Sequence, residues 1–378
     1  MTGASSTPIV GVTAGSAFDL EIEREVFDGM DVRFRPVDVE TTDDLIAELA
    51  DVDAVIDRLL AAPYTAAVID ALEDCRVIAR CGIGVDAIDT ERAAGADTYV
   101  VNVPTYCQDE VSEHTLLLLL ALERNLTDYD AALKDGVWAR DVTTAGVHRL
   151  RGRTLGLIGF GTIARLVAEK AHAFGLDVMA ADPYVDAETM AEADVEKAPF
   201  ETVVETADAV SLHAPLIEDT RGMMDADAFA RMKESAVLIN VARGGLVVTE
   251  DLVDALRTGR IAGAGLDVFD VEPSGQGGAD PPFESPLREF DTVVLTPHVA
   301  WFSREANDER RRTAARDVRR VLEGRPPTNA VNDPEGANGN AAADDADDAN
   351  AAADEANADV ADGANADAAD GADVTDDE

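Results

Sequence analysis

The stretch from residue 153 to 183, RTLGLIGFGTIARLVAEKAHAFGLDVMAADP, constrains the fold more than any other part of the chain. A strand candidate at 154–158 leads into the turn Gly159-Phe160-Gly161-Thr162-Ile163-Ala164. A helical stretch follows to Phe174, and a second apolar run at 178–181 ends at Asp182. Short runs that are apolar throughout suit strands buried on both faces of a parallel sheet. Gly159 and Gly161 let the chain turn sharply where backbone amides and a helix N-terminus meet, an arrangement that accepts a pyrophosphate. An acid about 20 residues further on stands where ribose hydroxyls would donate to it. Asp182 is followed by Pro183 and Tyr184 and not by an arginine. A 2′-phosphate would therefore face a carboxylate, and the motif reads as a site for NAD and not NADP. The plainer alternatives are a glycine turn that serves only packing, and Asp182 as a helix cap before Pro183.

The rest of the chain repeats the alternation of strand and helix. Before residue 104 the strand candidates are 9–12, 32–37, 54–56, 77–80 and 99–103, with helical stretches such as 42–50, capped by Thr42, and 64–72. That reads as a small five-stranded α/β unit. Pro104 interrupts it, and a long helix is expected at 108–125. Its apolar run at 115–122 is far too short to span a membrane and suits a core or a dimer face. The region around Trp138 reads as a loop. Strands are expected again at 153–158, 178–181, 209–212, 237–241, 263–268 and 293–296, a doubly wound dinucleotide fold. A last helix is expected at 303–322. Its Arg310, Arg311, Arg312, Arg316, Arg319 and Arg320 are mixed with Glu305, Asp308, Glu309 and Asp317, which reads as a solvated face and not a nucleic-acid patch.

Charge narrows the choice of partners. The chain carries 76 acidic residues against 31 basic ones. Residues 333–378 hold 16 of the acids and no Lys, Arg or aromatic, so this tail is expected to be disordered. Residues 1–332 still balance at −29, with only four lysines: Lys134, Lys170, Lys197 and Lys233. Such a domain repels itself in dilute salt, whereas in molar salt the screening length falls to ~3 Å. The composition therefore reads as salt-adapted, and nucleic acid and anionic membranes are poor partners. Cys75, Cys81 and Cys107 are too few and odd in number for a disulfide framework, and the N-terminus lacks a signal-peptide pattern, so a cytoplasmic protein is expected.

Three residues follow strand-like runs: Arg243 after VLINVA, Glu272 after GLDVFDV and His298 after VVLTP. The carboxyl ends of strands in open α/β sheets are where ligands bind, so the three can meet at one crevice. Reduction of a 2-oxo acid needs a hydride at C2 and a proton on the carbonyl oxygen. His298 is the natural proton donor, Glu272 would orient the imidazole and favour its charged form, and Arg243 would polarise the carbonyl and pair with the carboxylate. Each taken singly is equally a solvated Arg, a surface Glu or a satisfied core His. Neither His148 nor His172 has a partner at metal spacing, so no metal is expected. Cys81 has no nearby His, which speaks against a nucleophile.

From about residue 80 to 332 the chain resembles the D-isomer-specific 2-hydroxyacid dehydrogenases. The segments that carry the likeness are GLIGFGTIA, SLHAPLIEDTRGMM, MKESAVLINVARGGLVV, GLDVFDVEP and TPHVAWFS. Within that family, HVAWFSREA, ARGGLV and ADPY resemble the C-terminal binding protein branch. The resemblance implies the catalytic roles of Arg243, Glu272 and His298, and a tryptophan beside the substrate at Trp301. It implies cofactor contacts at Gly159, Gly161, Thr162, Ile163, Ala164, Asp182, Ala214, Pro215, Thr220, Val241, Ala242, Arg243, Asp267 and His298. The run Arg80-Cys81-Gly82-Ile83-Gly84-Val85-Asp86 matches the family's substrate loop, which assigns Arg80, Ile83 and Gly84 to the substrate with Arg243 and Trp301. Glu272 stands where formate-oxidising members carry Gln, which speaks against formate. Glu113-His114 reads as a structural feature of the family.

The implied architecture is two doubly wound α/β domains. A flavodoxin-like substrate domain, 1–103 plus 301–332, is interrupted by a Rossmann-type NAD-binding domain, 104–300, and followed by the 333–378 tail. The implied assembly is a homodimer. The implied activity is an NAD-dependent D-2-hydroxyacid dehydrogenase or 2-oxoacid reductase. The alternatives are an NAD(H)-sensing scaffold like the C-terminal binding proteins, and a phosphoglycerate dehydrogenase. The tail lacks the hydrophobic pattern of the regulatory domain found on many phosphoglycerate enzymes.

Overall fold

The computed structural model describes residues 7–13, 19–39, 41–58, 62–138, 147–273 and 283–334. The expectations for the tail beyond residue 334 and for the extreme N-terminus lie outside the described residues. Two parallel sheets organise the rest. The first contains β1 (Ile9–Thr13), β2 (Arg33–Val37), β3 (Ala54–Asp57), β4 (Val77–Arg80) and β5 (Tyr99–Val101), in the order β2-β1-β3-β4-β5. The second contains β6 (Thr154–Ile158), β7 (Asp177–Ala181), β8 (Val195–Lys197), β9 (Ala209–Leu212), β10 (Val237–Asn240), β11 (Gly263–Leu266) and β12 (Val293–Leu295). Their order is β12-β11-β10-β9-β6-β7-β8. These are the two common doubly wound orders, flavodoxin-like and Rossmann-like. Every residue of β3, β9, β10 and β11 is buried, because helices cover both faces of each sheet.

Several boundaries differ from the expected ones, each for a local reason. Strand β8 was not anticipated: Val195-Glu196-Lys197 is a polar edge strand that buries only Val195. The first helix of the second unit is Gln108–Glu123, and Asn125, at φ +47°, breaks it from the following helix Leu126–Lys134. Thr41, and not Thr42, caps the helix Thr42–Leu49: its side chain accepts from the Asp44 amide while the Asp44 carboxylate accepts from the Thr41 amide.

The helix Arg304–Leu322 returns to the first sheet. Its Ala314, Ala315 and Val318 are fully buried in one core with Val10, Val12, Ile56, Val77 and Ala79. Beyond it, the Val331 amide donates to the Val100 carbonyl, which lays the chain along β5. The expectation of a solvated arginine face is only partly met. Arg310 and Arg311 are buried, at 9% and 6% exposure. The Arg311 guanidinium makes two hydrogen bonds to the buried Glu23 carboxylate, 3.0 and 2.7 Å long, and Arg58 pairs with the same carboxylate at 3.0 Å. A fixed pair of donors matched to one carboxylate is what makes a buried arginine tolerable.

Candidate active site

The candidate site residues lie at or beyond the carboxyl ends of the strands. Gly159, between β6 and the helix Thr162–Ala173, has φ +91°. A Cβ there would stand 2.8–2.9 Å from the backbone of His213 and Ala214, so glycine is required both by the turn and by the approach of the loop after β9. Gly161 is the N-cap of that helix; no side chain caps it, and nothing lies within 4 Å of where its Cβ would be. The N-terminus of this three-turn helix is left without a side-chain cap, which suits a pyrophosphate. Thr162 and Ile163 open the helix, and Ala164 is buried against the sheet.

Asp182 is pinned at the mouth of this turn. Its Oδ2 accepts from the Phe160 amide at 2.8 Å and its Oδ1 from the Tyr184 amide at 2.8 Å. It caps no helix; Asp186 does that for the next one. Each Asp182 oxygen retains a lone pair for a ribose hydroxyl. These residues fit a dinucleotide. Thr220 shapes the neighbouring loop: its hydroxyl donates to the Pro215 carbonyl at 2.6 Å and accepts from the Ile217 amide at 2.9 Å. After β10, Asn240 fixes the turn at Val241 and Ala242 by accepting from the Ala242 amide and donating to the Arg243 carbonyl. Asn240 carried no motif signal and was missed.

His298 and Glu272 meet as expected. The imidazole Nδ1 lies 2.7 Å from Glu272 Oε2, and Glu272 Oε1 accepts from the Phe269 amide at 3.0 Å. Burial pushes the Glu272 carboxyl up. The hydrogen bond and charge of His298, the Phe269 amide and the charge of Arg243 outweigh it, and its pKa falls below the ordinary value. His298 itself sits in the left-handed region at φ +53°, a conformation that needs enforcement outside glycine.

Asp267 supplies that enforcement. Its backbone carbonyl accepts from the His298 amide at 2.8 Å, and its carboxylate accepts from the Thr296 hydroxyl (2.6 Å) and the Val299 and Ala300 amides (2.9 Å each). Asp267 is fully buried, so the structure places it as the anchor of the 296–300 loop and not at an open cofactor surface. His114 backs this anchor from the helix Gln108–Glu123, with its Nε2 2.9 Å from Thr296 Oγ1. Because the threonine hydroxyl donates to Asp267, the imidazole is the donor to Thr296.

Arg243 reaches across to the loop after β4. Its Nε donates to Asp86 Oδ2 at 3.1 Å, its Nη1 to the Ala242 carbonyl at 2.8 Å, and a Cβ on Gly84 would collide with its Nη2. Arg80, at the end of β4, turns inward: its Nη1 donates to the Asp57 carbonyl at 3.3 Å, and its guanidinium lies beside Gly82. Ile83, Tyr106 and Trp301 pack against one core cluster. The Arg310 guanidinium lies 4.1 Å from the Trp301 ring centre, and the indole N–H donates to the His298 carbonyl at 3.0 Å. Burial pushes the Cys81 thiol up to about 11, so it carries no thiolate near neutral pH. Among the described residues no group of three His, Cys, Asp or Glu side chains could hold a metal ion, and no helix is long and apolar enough to cross a membrane.

Comparison with known proteins matches this geometry to a family. Residues 116–300 match the profile of the D-isomer specific 2-hydroxyacid dehydrogenase, NAD binding domain. The hydroxypyruvate reductase of Thermotoga maritima is 36% identical over 264 residues, 70% of this chain and 83% of that protein. The chain belongs to the D-isomer-specific 2-hydroxyacid dehydrogenase family. The D-3-phosphoglycerate dehydrogenase of Mycobacterium leprae is 37% identical over 304 residues, 80% of this chain. The chain spans only 56% of that relative's length. The TT0316 protein of Thermus thermophilus has a crystal structure of the same fold, at TM-score 0.74 and 31% identity, over 85% of this chain and 99% of its own. The open turn at Gly159–Ala164 and the pinned Asp182 thus belong to an NAD-binding domain of this family.

Proposed function

We propose that the chain is an NAD-dependent dehydrogenase that interconverts a D-2-hydroxy acid and its 2-oxo acid. The observation that carries the reading is the His298–Glu272 pair at 2.7 Å, within electrostatic reach of Arg243 and on a loop anchored by Asp267. Bound NADH would supply the hydride that C2 receives. His298 delivers a proton to the carbonyl oxygen and is left neutral; in the reverse direction it takes the hydroxyl proton. Glu272 stabilises the charged ring and fixes its orientation. The free Nη hydrogens of Arg243 hold the substrate carboxylate and polarise the carbonyl. The 83–84 loop amides, with Arg80 at its base and Trp301 on the wall, close the substrate side.

Two substrate readings follow. The names of the curated relatives favour D-3-phosphoglycerate, or hydroxypyruvate in the reducing direction. The Trp301 indole, braced by Arg310, favours larger apolar 2-oxo acids. Turnover against 3-phosphoglycerate, 3-phosphohydroxypyruvate, hydroxypyruvate, glyoxylate, pyruvate and phenylpyruvate separates them. No turnover with any of these acids would favour the NAD(H)-sensing scaffold suggested by the likeness of HVAWFSREA to C-terminal binding proteins.

The substrate domain of this reading comprises residues 1–103 with 301–332, and the cofactor domain 104–300. Exposed Leu117, Leu126, Leu133 and Trp138 on and just beyond the paired helices of the cofactor domain support a homodimer. Three buried free thiols support a reducing, cytoplasmic setting.

A further inference from the structure

Arg243 is a long side chain, about a third exposed, that must present one edge of its guanidinium to a substrate. Left alone it would sample many rotamers. Three contacts restrict it. The Ala242 carbonyl takes one Nη1 hydrogen, Gly84 admits Nη2 by lacking a side chain, and Asp86 Oδ2 takes the Nε hydrogen at 3.1 Å. The first contact is with the adjacent residue. The other two come from the loop after β4, on the opposite unit of the molecule. Only the Asp86 contact joins two charges, and it engages the Nε edge of the guanidinium while Nη hydrogens remain for a substrate.

We propose that Asp86 is a positioning residue for Arg243. It holds the Nε edge so that the remaining Nη hydrogens are aimed at the substrate, and it sets the register of the 81–86 loop against the cofactor unit. The inference rests on the reading that Arg243 binds substrate. It carries a distinctive cost. A carboxylate beside Arg243 repels the substrate's own carboxylate, so Asp86 weakens ground-state binding while it improves alignment. Its removal is therefore expected to lower kcat while KM stays level or falls.

The test uses the full chain with one good 2-oxo acid and saturating NADH. Asp86→Ala is expected to lower kcat by about 10- to 100-fold, the cost of misplacing a substrate-positioning group. The KM for the acid should stay level or fall, and the NADH dissociation constant and melting temperature should hold. Asp86→Asn, whose amide oxygen still accepts from Nε, should recover most of the turnover. In an Arg243→Lys background, which has no Nε fork, Asp86→Ala should cause no further loss. An unchanged kcat in Asp86→Ala, or an Asn variant as impaired as the Ala variant, would overturn the positioning role. So would a second, independent loss in the Lys background. Arg243→Ala distinguishes the two levels: full turnover there defeats the substrate role of Arg243 itself, whereas lost turnover beside an intact Asp86→Ala enzyme defeats the Asp86 inference alone.

Discussion

Glu272→Gln removes one charge from the His298 pair and leaves its length and hydrogen-bonding reach. The amide oxygen of the variant can still accept from the imidazole, or from the Phe269 amide that now bonds Glu272 Oε1. What disappears is the attraction between a carboxylate and a charged ring whose atoms lie 2.7 Å apart. Two unit charges about 4 Å apart interact by about 1 kcal/mol in water and about 4 kcal/mol at an effective dielectric of 20. The His298 side chain is 49% exposed and that of Glu272 35%, so solvent screens the pair and the lower end applies. About 1–1.5 kcal/mol is about a 5- to 10-fold change in an equilibrium constant.

The sign follows from the chemistry. The His298 charge helps to hold Glu272 below its ordinary value, so by reciprocity the carboxylate favours the charged form of its partner. The basic limb of the kcat/KM profile for 2-oxo acid reduction should move to lower pH, and the acidic limb for hydroxy acid oxidation should move with it. Glu272 is itself held below its ordinary value, so the carboxylate keeps its charge through the neutral range and loses it only as pH falls through that depressed value. Both profiles should be measured at one ionic strength, because molar KCl shrinks the shift. Limbs that stay in place, or that move upward, would refute the electrostatic role. A uniform loss at every pH would mean that Glu272 only places the ring.

Other perturbations address separate parts of the site. His298→Asn should cut turnover by ~10²–10⁴-fold and leave NADH binding measurable by fluorescence, because the turn at Gly159 and Asp182 lie elsewhere. Asp182→Ala should weaken NADH and narrow its kcat/KM advantage over NADPH; a wild-type enzyme that prefers NADPH in molar KCl would remove Asp182 from the ribose site. Trp301→Ala should raise KM for phenylpyruvate more than for glyoxylate, and equal effects would reduce the indole to a brace for Arg310 and His298. Melting temperature should rise as KCl goes from ~0.1 M to molar levels, since screening relieves the repulsion of a −29 core.

The fold was readable because its strongest signals are local and apolar. Strands such as β9, β10 and β11 hold at most one polar residue each, and burial on both faces is what such runs demand. The elements that escaped are those whose reason lies outside their own sequence. Strand β8 is three residues of which two are charged, and it exists because β7 offers it an edge. The buried pair Arg310 and Arg311 looks like surface until Glu23, 287 and 288 residues away in sequence, is brought beneath the helix, and until the carbonyls of Arg58 and Cys81 close on Arg310.

The candidate site divides along the same line. Residues with reactive side chains, Arg243, Glu272 and His298, announce themselves by type and by their place after strands. Residues that make them effective do not, because an aspartate that orients a loop and one that touches a ligand are the same letter. Asp267 shows the difference. In sequence it sits five residues before Glu272 and resembles a cofactor contact, yet folded it is sealed, with its carboxylate engaged by Thr296, Val299 and Ala300. Its carbonyl holds His298 at φ +53°, a backbone state that nothing in the sequence TPHVA requires. The candidate proton donor is therefore held by a buried aspartate 31 residues upstream, and His114 on a third element steadies its carboxylate through Thr296. An unanchored loop would let the residue relax to the ordinary right-handed or extended region and swing the imidazole away from Glu272.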